Sequence, residues 1–161
     1  MKYFLLIFTC ILLSNFLVSC NDTAVYDEYK NIKNNSWDYS DSLKYDVDIK
    51  DTATHYSLFV NVRHNFYFDW RNVWVKIITV YPNNKMEVSS VNLPLSESDG
   101  KWFGKCSGDI CDIRIGIQQN AVFPQVGKYK FIIVQDMRQN PLPKIMDVGL
   151  RVEKYKITKA Q

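Results

Sequence analysis

The sequence predicts an all-β protein whose strands form an antiparallel two-sheet β-sandwich, immunoglobulin-like or jelly-roll-like in its connections. Three observations lead to this prediction. Apolar and polar residues alternate with a period of two in several segments, turn-forming residues separate those segments, and no window of about twelve residues after Cys20 carries the apolar stripe of a helix. A chain of 161 residues with 47% apolar residues is long enough for one domain with a buried core.

The first nineteen residues are typical of a secretory signal peptide. Lys2 is the only charged residue before Asp22, and the stretch from Tyr3 to Val18 is almost wholly apolar. This stretch is shorter than the roughly 20 residues that a membrane-spanning helix needs. The sequence Leu17-Val18-Ser19-Cys20 resembles the bacterial lipobox, which predicts that Cys20 carries a diacylglycerol and becomes the first residue after cleavage. The alternative is an ordinary signal peptide that ends near a cysteine.

Lipidation gives the membrane prediction its physical basis. Each CH₂ group buried in a bilayer contributes about 0.8 kcal/mol, so a diacylglycerol on Cys20 holds the protein at a membrane without inserting the chain. We predict a signal peptide over residues 1–19, a lipidated tether over residues 20–41 and a β-sandwich domain over residues 42–161. Within the tether, a short element is expected to dock on the domain through its aromatic side chains, Tyr26, Tyr29 and Trp37.

Strand-like alternation begins at residues 43–50, where Leu, Tyr, Val and Ile alternate with Lys and Asp. This pattern is typical of a strand with one buried and one solvated face, and residues 56–63 repeat it. Residues 73–81 are apolar on both faces, which predicts a central strand before the turn Pro82-Asn83-Asn84-Lys85. Further strands are predicted at residues 86–93, 102–106, 111–117, 128–135 and 148–152. Tyr129 is expected to tie its hydroxyl to nearby backbone, as tyrosines at sandwich corners do.

Composition argues against several classes of function. The net charge is +3, the isoelectric point is about 8.6 and no three Lys or Arg residues are consecutive, so no nucleic-acid partner is predicted. Two His and six Gly residues leave little material for a metal cage or a phosphate-binding loop.

Asp46 and Asp48 share a strand face, but the neighbouring lysines indicate a solvated face rather than a catalytic pair. His55 and His64 match no nucleophile motif and are expected to be solvated. The sequence therefore predicts no enzyme, no cofactor and no metal.

Two cysteines remain after Cys20, and they are close in the sequence. Cys106 and Cys111 are separated by Ser-Gly-Asp-Ile, in which Gly108 and Asp109 are suited to a tight hairpin turn. A disulfide is the first interpretation, because such pairs are oxidised outside the cytoplasm. Two unpaired thiols and half of a zinc site are the alternatives, although zinc lacks a third protein ligand nearby.

The segment His64–Arg71 contains four aromatic residues between two predicted strands, Phe66, Tyr67, Phe68 and Trp70. Three interpretations remain open for these rings. The segment folds back as a cap over the end of the sandwich, or it exposes the rings to a protein partner, or it stacks them on sugar rings. Trp102 is a further candidate for contact with a partner or a glycan.

Several motifs, in order, resemble the GldH-type gliding-motility lipoproteins of Bacteroidetes. The resemblance covers nearly the whole chain after Cys20 and no single motif is decisive. The motifs are Val25-Tyr26-Asp27-Glu28-Tyr29-Lys30, Asn34-Asn35-Ser36-Trp37, residues 56–63, residues 99–105, Phe123-Pro124 with Gly127-Lys128-Tyr129, Met137-Arg138 and residues 147–154. The pair Cys106 and Cys111 departs from the family pattern.

The resemblance implies a non-catalytic lipoprotein of the outer membrane, held on its periplasmic face by the lipid anchor. It also implies partners among gliding or type IX secretion proteins of the envelope. A second function is kept from the residues themselves, a glycan-binding β-sandwich module that uses the aromatic segment and Trp102. Asp-Ser/Thr-apolar triplets further resemble O-glycosylation acceptors of Bacteroidetes envelopes, which predicts modification at Thr23, Ser42 and Thr52.

Overall fold

The computed structural model describes residues 23–155, and these residues form an all-β fold in which every strand pairing is antiparallel. The predicted signal peptide and Cys20 lie outside the described residues. The strands are β1 (Ala24–Asn31), β2 (Ser36–Trp37), β3 (Leu43–Ile49), β4 (His55–Asn65), β5 (Asn72–Val80), β6 (Met86–Pro94), β7 (Lys105–Ser107), β8 (Ile110–Val122), β9 (Gly127–Gln135), β10 (Leu142–Pro143) and β11 (Ile145–Lys154). A short 3₁₀ turn, Lys33–Asn35, joins β1 to β2.

Two sheets enclose the core. One has the strand order β1-β11-β4-β8-β7 and the other β3-β9-β5-β6, while β10 and β2 form a separate two-stranded ribbon. The buried faces of both sheets supply the core, which includes Tyr45, Val47, Val60, Ile133 and Leu150. This confirms the predicted β-sandwich. Within residues 23–155, no helix is long and apolar enough to cross a membrane.

The predicted alternation is confirmed most clearly in β3, where every second side chain is buried and the others are exposed. Strand β5 is central, as predicted, because β9 and β6 pair with its two edges. The outer face of β4 differs from its prediction, because Ser57 and Asn61 on that face are buried. Asn61 is enclosed by charged neighbours: its Oδ1 accepts from Arg114 Nε at 3.1 Å and its Nδ2 donates to Asp27.

The segment predicted as a tether contains a strand of the larger sheet. Strand β1 pairs with β11 along its length, from Ala24 opposite Glu153 to Asn31 opposite Asp147. The sequence did not indicate this strand, because buried and exposed residues do not alternate regularly along it. The expected docking through Trp37 is present, since its side chain is buried and its indole N–H donates to the Asp41 carbonyl at 2.9 Å.

The sandwich has two distinct ends. The end at which the described chain begins, called here the basal end, contains residues 23–24, 50–55, 81–85, 123–126 and 154–155. The opposite end, called the aromatic end, contains residues 38–42, 66–71, 95–109 and 136–144. Strand β4 runs from one end to the other, and its ten residue steps span about 33 Å.

The predicted tyrosine corner is confirmed at the basal end. Tyr129 is fully buried, and its hydroxyl donates to the Gln125 carbonyl at 2.9 Å while accepting from the Gln125 N–H at 3.2 Å. Its ring also packs edge-on against Phe123, with 4.8 Å between ring centroids. The corner therefore fixes the turn that leads from β8 into β9.

Candidate functional site

The aromatic segment forms a tight turn directly after β4. The Asn65 side-chain oxygen accepts from the Tyr67 N–H at 2.9 Å, and the Asn65 carbonyl accepts from the Phe68 N–H at 3.0 Å. An asparagine that bonds its own downstream backbone favours such a turn. The turn directs Phe68 into the core, where its ring lies 5.3 Å from that of Trp70 between centroids.

The five aromatic residues singled out from the sequence divide into two groups. Phe68 is buried, and Trp70 and Trp102 are half-buried against the core, as a cap over the sandwich requires. Phe66 and Tyr67 are 44% and 65% exposed, and their rings pack edge-on at 5.6 Å. The aromatic end thus combines a packed cap with an exposed pair of rings.

Three other segments hold this exposed pair in place. The Phe66 N–H donates to the Asp109 carbonyl at 2.8 Å, and the Phe66 carbonyl accepts from the Trp102 indole at 3.2 Å. Lys144 Nζ donates to the Tyr67 carbonyl at 2.7 Å and pairs with the Asp69 carboxylate at 2.9 Å. A backbone that is already positioned loses little conformational entropy when a partner binds, so the segment that presents the two rings is preorganised for contact.

The β7–β8 hairpin supplies the bond to Phe66 and contains both cysteines. Cys106 and Cys111 are directly opposite in the register and are joined as a disulfide, with 4.0 Å between their Cα atoms. Gly108 occupies the turn with a positive φ of 57°, a conformation that favours glycine. Cys111 is buried and Cys106 is exposed.

His64 is not a solvated residue, which corrects the expectation from the sequence. It is 1% exposed, its Nδ1 lies 2.9 Å from the Asn65 carbonyl, and its ring packs at 4.5 Å against Trp102. Burial lowers the pKa of His64, and its Nε2 has no hydrogen-bond partner among residues 23–155. The alternation of β4 contained the signal, because residue 64 has the same parity as the buried Val60 and Val62.

A second aromatic surface adjoins the segment and was missed from the sequence. Trp70 and Trp74 line a groove of about 550 Å³ with residues 136–139. Trp74 is 43% exposed on the outer face of β5, and its N–H donates to the Met137 sulfur at 3.2 Å. The groove wall is fixed, because the Met137 carbonyl accepts from the Tyr39 hydroxyl and the Met137 N–H donates to the Gln135 side chain.

The remaining candidates from the sequence lie outside the aromatic segment. Asp46 and Asp48 are exposed on the outer face of β3, opposite Lys130 and Lys128 of β9. His55 is exposed at the basal end, about 33 Å along β4 from the aromatic segment, with Nδ1 2.7 Å from Asn120 Oδ1. His55 is therefore too far from the aromatic segment to act in one reaction centre with it.

Asp112, next to the disulfide, is engaged by other side chains. Its carboxylate pairs with the Arg63 guanidinium at 3.0 Å and accepts from the Tyr29 hydroxyl at 3.0 Å. This arrangement raises the pKa of the Tyr29 phenol to about 12, by burial first and by the neighbouring Asp112 charge second. In the described part of the chain, no group of three or more His, Cys, Asp or Glu residues is placed to hold a metal ion.

The three predicted O-glycosylation acceptors lie outside the strands. Thr23 precedes β1, Ser42 precedes β3, and Thr52 lies in the loop between β3 and β4. Ser42 and Thr52 are exposed. In the third triplet, the Asp51 carboxylate accepts hydrogen bonds from the Ala53 and Thr54 N–H groups.

The sequence of this all-β protein matches a known family. The sequence model described as GldH lipoprotein matches residues 24–152, which include all but the last two residues of the last strand. This match places the chain in a class of membrane-anchored lipoproteins of the cell envelope. The chain belongs to the GldH lipoprotein family, and two of its relatives are named as gliding motility lipoproteins.

Two relatives support this assignment over nearly their whole lengths. The chain is 32% identical over 158 residues to the gliding motility lipoprotein GldH homolog of Christiangramia forsetii, covering 94% of each chain. It is 28% identical over 144 residues to gliding motility lipoprotein GldH of Flavobacterium johnsoniae, covering 85% of this chain and 89% of that protein. A solved structure of arabinose-bound MgGH51 α-L-arabinofuranosidase aligns with 10% identity and a TM-score of 0.34, covering 81% of this chain and 22% of that one. A likeness this weak carries no argument about fold or function.

Proposed function

We propose that the protein is an outer-membrane lipoprotein that acts as a non-catalytic, partner-binding component of the gliding machinery, linked to type IX secretion. The family assignment supports a role in gliding motility. The lipobox at residues 17–20 supports attachment through Cys20, and we propose the periplasmic face as its location. The single observation that carries the partner-binding role is the exposed pair of rings, Phe66 and Tyr67, on a backbone that other segments hold in place at the aromatic end.

The position of this pair relative to the anchor supports the proposal. Cys20 is four residues from Ala24, so the lipidated residue lies at most about 14 Å from the start of β1 at the basal end. Strand β4 separates the basal and aromatic ends by about 33 Å. A body anchored in this way presents Phe66 and Tyr67 away from the lipid surface, where another envelope protein can reach them.

The chemistry of the pair fits a protein contact. Tyr and Phe bury large areas with few torsions to freeze, and aromatic residues are enriched at interfaces. Replacing both Phe66 and Tyr67 with Ala is expected to abolish spreading of a gliding host while the protein stays in the membrane fraction. The matched control is Val122→Ala, because Val122 is also exposed but lies at the basal end. Normal spreading by the double variant would overturn the role of the aromatic pair.

The anchor has its own test. Cells grown with labelled palmitate are expected to label the wild-type protein, and Cys20→Ser is expected to remove the label and release the protein from membranes. A wild-type protein that carries no lipid and washes off the membrane would overturn the anchor without bearing on the aromatic pair. Sucrose-gradient separation of the membranes then tests the outer-membrane location.

A glycan-binding module is the second candidate, and the groove between Trp70 and Trp74 is the observation that favours it. Trp rings stack on sugar faces, and the side chains of Asp136, Arg138 and Gln139 on the groove wall offer hydrogen-bonding groups. Titration with envelope glycans is expected to change tryptophan fluorescence if this function is correct, and Trp74→Ala is expected to remove the change. Loss of gliding in the Phe66 and Tyr67 variant without any glycan response favours the protein partner.

Two modifications are also proposed. We propose that Cys106 and Cys111 are disulfide-bonded in the envelope and that Thr23, Ser42 and Thr52 are O-glycosylated. Intact-mass analysis before and after reduction and alkylation tests the disulfide. Peptide masses from the purified native protein test the three acceptor sites, and unshifted masses would overturn the glycosylation.

A further inference from the structure

The two ends of the sandwich differ in the sign of their charge. Within the ranges given above, the basal end contains three lysines, Lys50, Lys85 and Lys154, and a single acidic residue, Asp51. The aromatic end, as defined above, contains seven acidic and five basic residues. The sandwich is therefore positive at the end nearest to Cys20 and negative at the opposite end. A charge distribution of this kind orients a protein in an external field.

The positive charge at the basal end is not neutralised by neighbouring side chains. All three lysines are exposed, and none of their ammonium groups forms an ion pair within residues 23–155. The Asp51 carboxylate is occupied within its own loop, where it accepts from the Ala53 N–H at 2.9 Å and from the Thr54 hydroxyl at 2.8 Å. The lysines are therefore available to an anion outside the protein.

Two of these lysines share a pocket beside the first strand. Lys154 has the same parity as the buried Val152, so its side chain projects over the end of the core. Asp48, which also borders the pocket, lies opposite Lys128 of β9. The pocket has a volume of about 290 Å³ and is lined by Val25, Asp48, Lys50, Asp51, Tyr56 and Lys154. Two ammonium groups at one pocket suit an anionic group such as a phosphate.

Exposed apolar side chains accompany the lysines. Met86 follows Lys85 directly and is 67% exposed, and Val126 is 57% exposed in the turn between β8 and β9. The two turns that carry them are adjacent, since a Cβ on Gly127 would lie 3.2 Å from the Pro82 side chain. Basic residues beside exposed apolar ones are the combination with which interfacial helices bind anionic membranes. The basal end presents the same combination on loops.

The proposed anchor brings this end to a lipid surface, and the inference rests on that part of the proposed function. Cys20 lies at most about 14 Å from Ala24, where the described strands begin. A gap of this width admits a single helix of about 10–12 Å diameter. It does not admit a folded domain, because a domain of about 100 residues has a radius of gyration of about 13 Å. The basal end therefore faces lipid.

A second copy of this chain does not fit between the basal end and the membrane. The aromatic end of a second copy has the complementary charge, but strand β4 holds it about 33 Å farther from the lipid in every anchored copy. A contact between two basal ends would bring charges of the same sign together. The geometry of the anchor and the charge of the basal end thus both favour lipid as the occupant.

We propose that the basal end binds the surface of a membrane that contains anionic phospholipids. Lys50, Lys85 and Lys154 attract the headgroups, and Met86 and Val126 enter the headgroup region. The negative aromatic end is repelled by the same surface, so the charge distribution holds the exposed rings away from the lipid. The contact does not have to be strong, because the anchor makes it intramolecular and keeps the local lipid concentration high.

The direct test measures how fast each lysine of the native lipoprotein is acetylated by an uncharged succinimidyl ester in vesicles. We expect Lys50, Lys85 and Lys154 to react at least about threefold more slowly with phosphatidylglycerol in the vesicles than with phosphatidylcholine alone. Lys101, in an exposed loop at the aromatic end, is the internal control and should react equally in both. High salt should remove the difference. Equal rates for the basal lysines in the two vesicles would overturn the proposal.

Charge reversal supplies a matched pair of variants, with Lys85 as the reporter in both. The double variant Lys50→Glu, Lys154→Glu is expected to remove most of the protection of Lys85 in anionic vesicles. The double variant Lys101→Glu, Lys105→Glu changes the net charge equally, at exposed positions of the aromatic end, and is expected to keep that protection. Equal protection of Lys85 in the two variants would contradict the basal end as the contact. The wild-type comparison stands even if a variant does not fold.

A further arm separates this contact from the anchor. Protein produced without residues 1–19 is coupled through its Cys20 thiol to a maleimide-bearing phospholipid, which supplies the same tether whether or not cells lipidate Cys20. Protection of the basal lysines in this form supports the contact even if the native protein carries no lipid. A lipidated native protein without protection overturns the contact and leaves the anchor intact. Protection that increases with the number of proteins per vesicle would show that a second copy covers the basal end and would overturn the lipid assignment.

Discussion

The His64 side chain is a neutral imidazole among aromatic rings. Protonation of this side chain places a positive charge in that buried environment. Its ring lies against Phe68 and Trp102, and Asp112 is the charged group whose attraction partly opposes the effect of burial. Burial lowers the pKa of His64 in the folded state below its ordinary value of 6.5. The unfolded chain therefore binds the proton more readily, so acidification through this range favours unfolding.

We expect the free energy of unfolding to fall as pH decreases from 7.5 to 5.0, and His64→Phe to remove part of this fall. Urea denaturation at several pH values measures it. His55→Gln is the matched control, because His55 is the other histidine of the sequence and lies exposed at the basal end. The range stops at pH 5 because carboxylates with lowered pKa values, such as Glu28 and Asp51, contribute below it. An identical pH dependence in the His64 variant would contradict this account.

Tyr129 illustrates a different contribution of a single residue. Its hydroxyl makes two hydrogen bonds to the backbone of Gln125, and both are lost in Tyr129→Phe while the ring packing remains. We expect a loss of about 1 kcal/mol in the free energy of unfolding. Tyr67→Phe is the control, since Tyr67 is 65% exposed and a change within about 0.5 kcal/mol is expected there. Equal losses in the two variants would show that the corner bonds add no stability.

The β7–β8 hairpin shows how one element supports another. Its disulfide closes a loop of only a few residues, for which chain entropy gives about 2 kcal/mol of stabilisation. We expect the double variant Cys106→Ser, Cys111→Ala to lose about 2 kcal/mol in the free energy of unfolding. This loss of stability should be accompanied by faster hydrogen exchange of the Phe66 N–H, which donates to the Asp109 carbonyl of the hairpin.

Exchange at the Tyr129 N–H, at the far end of the sandwich, is the internal reference for this measurement. If the hairpin acts only through global stability, both amides will exchange faster by the same factor. A selective effect at Phe66 indicates that the disulfide holds the aromatic end locally. Unchanged exchange at Phe66 would contradict the support that we assign to the hairpin.

The sequence predicted the strands in which every second side chain packs into the core. Strands β3, β5 and β9 each have one regular core-facing row, and all three match the predicted segments to within one residue at each end. Strand β1 was missed because neither its apolar residues nor its buried positions alternate regularly. The length of β8 was underestimated, since the exposed run Gln118-Gln119-Asn120 has no apolar partner that would indicate a strand.

The candidate site was predictable in composition but not in arrangement. The aromatic residues were identified, yet only tertiary contacts decide that Phe68 is buried and Tyr67 is exposed. Trp74 was assigned to a buried strand, because nothing in the sequence of β5 distinguishes a face covered by another sheet from one that is left open.

At the scale of the whole molecule, the tryptophans provide a natural measure of orientation. All four, Trp37, Trp70, Trp74 and Trp102, lie at or near the aromatic end. We expect lipids with brominated chains to quench little of the tryptophan emission of the lipidated protein in vesicles. Val126→Trp, at the basal end, is expected to add emission that these lipids do quench.

Phe66→Trp is the matched control, because it adds a fifth tryptophan at the aromatic end instead. Its additional emission is expected to resist brominated lipids and to respond to a water-soluble quencher. Strong lipid quenching of the wild type or of Phe66→Trp would contradict the proposed orientation. Protein with Cys20→Ser is expected to show no lipid quenching in any of these forms.

The pairing of β1 with β11 has a consequence for biogenesis. The first strand of the domain takes its backbone partners from the last, with Tyr26 opposite Val152, so the larger sheet cannot close until almost the whole chain is available. Contacts that join distant parts of a chain form slowly, because the intervening loop must be ordered first. The N-terminus of the polypeptide emerges first from the ribosome or a translocation pore. The larger sheet therefore stays unformed until the last strand, β11, has emerged as well. For the exported lipoprotein proposed above, this topology keeps the larger sheet unfolded during translocation and delays its final folding to the far side of the membrane.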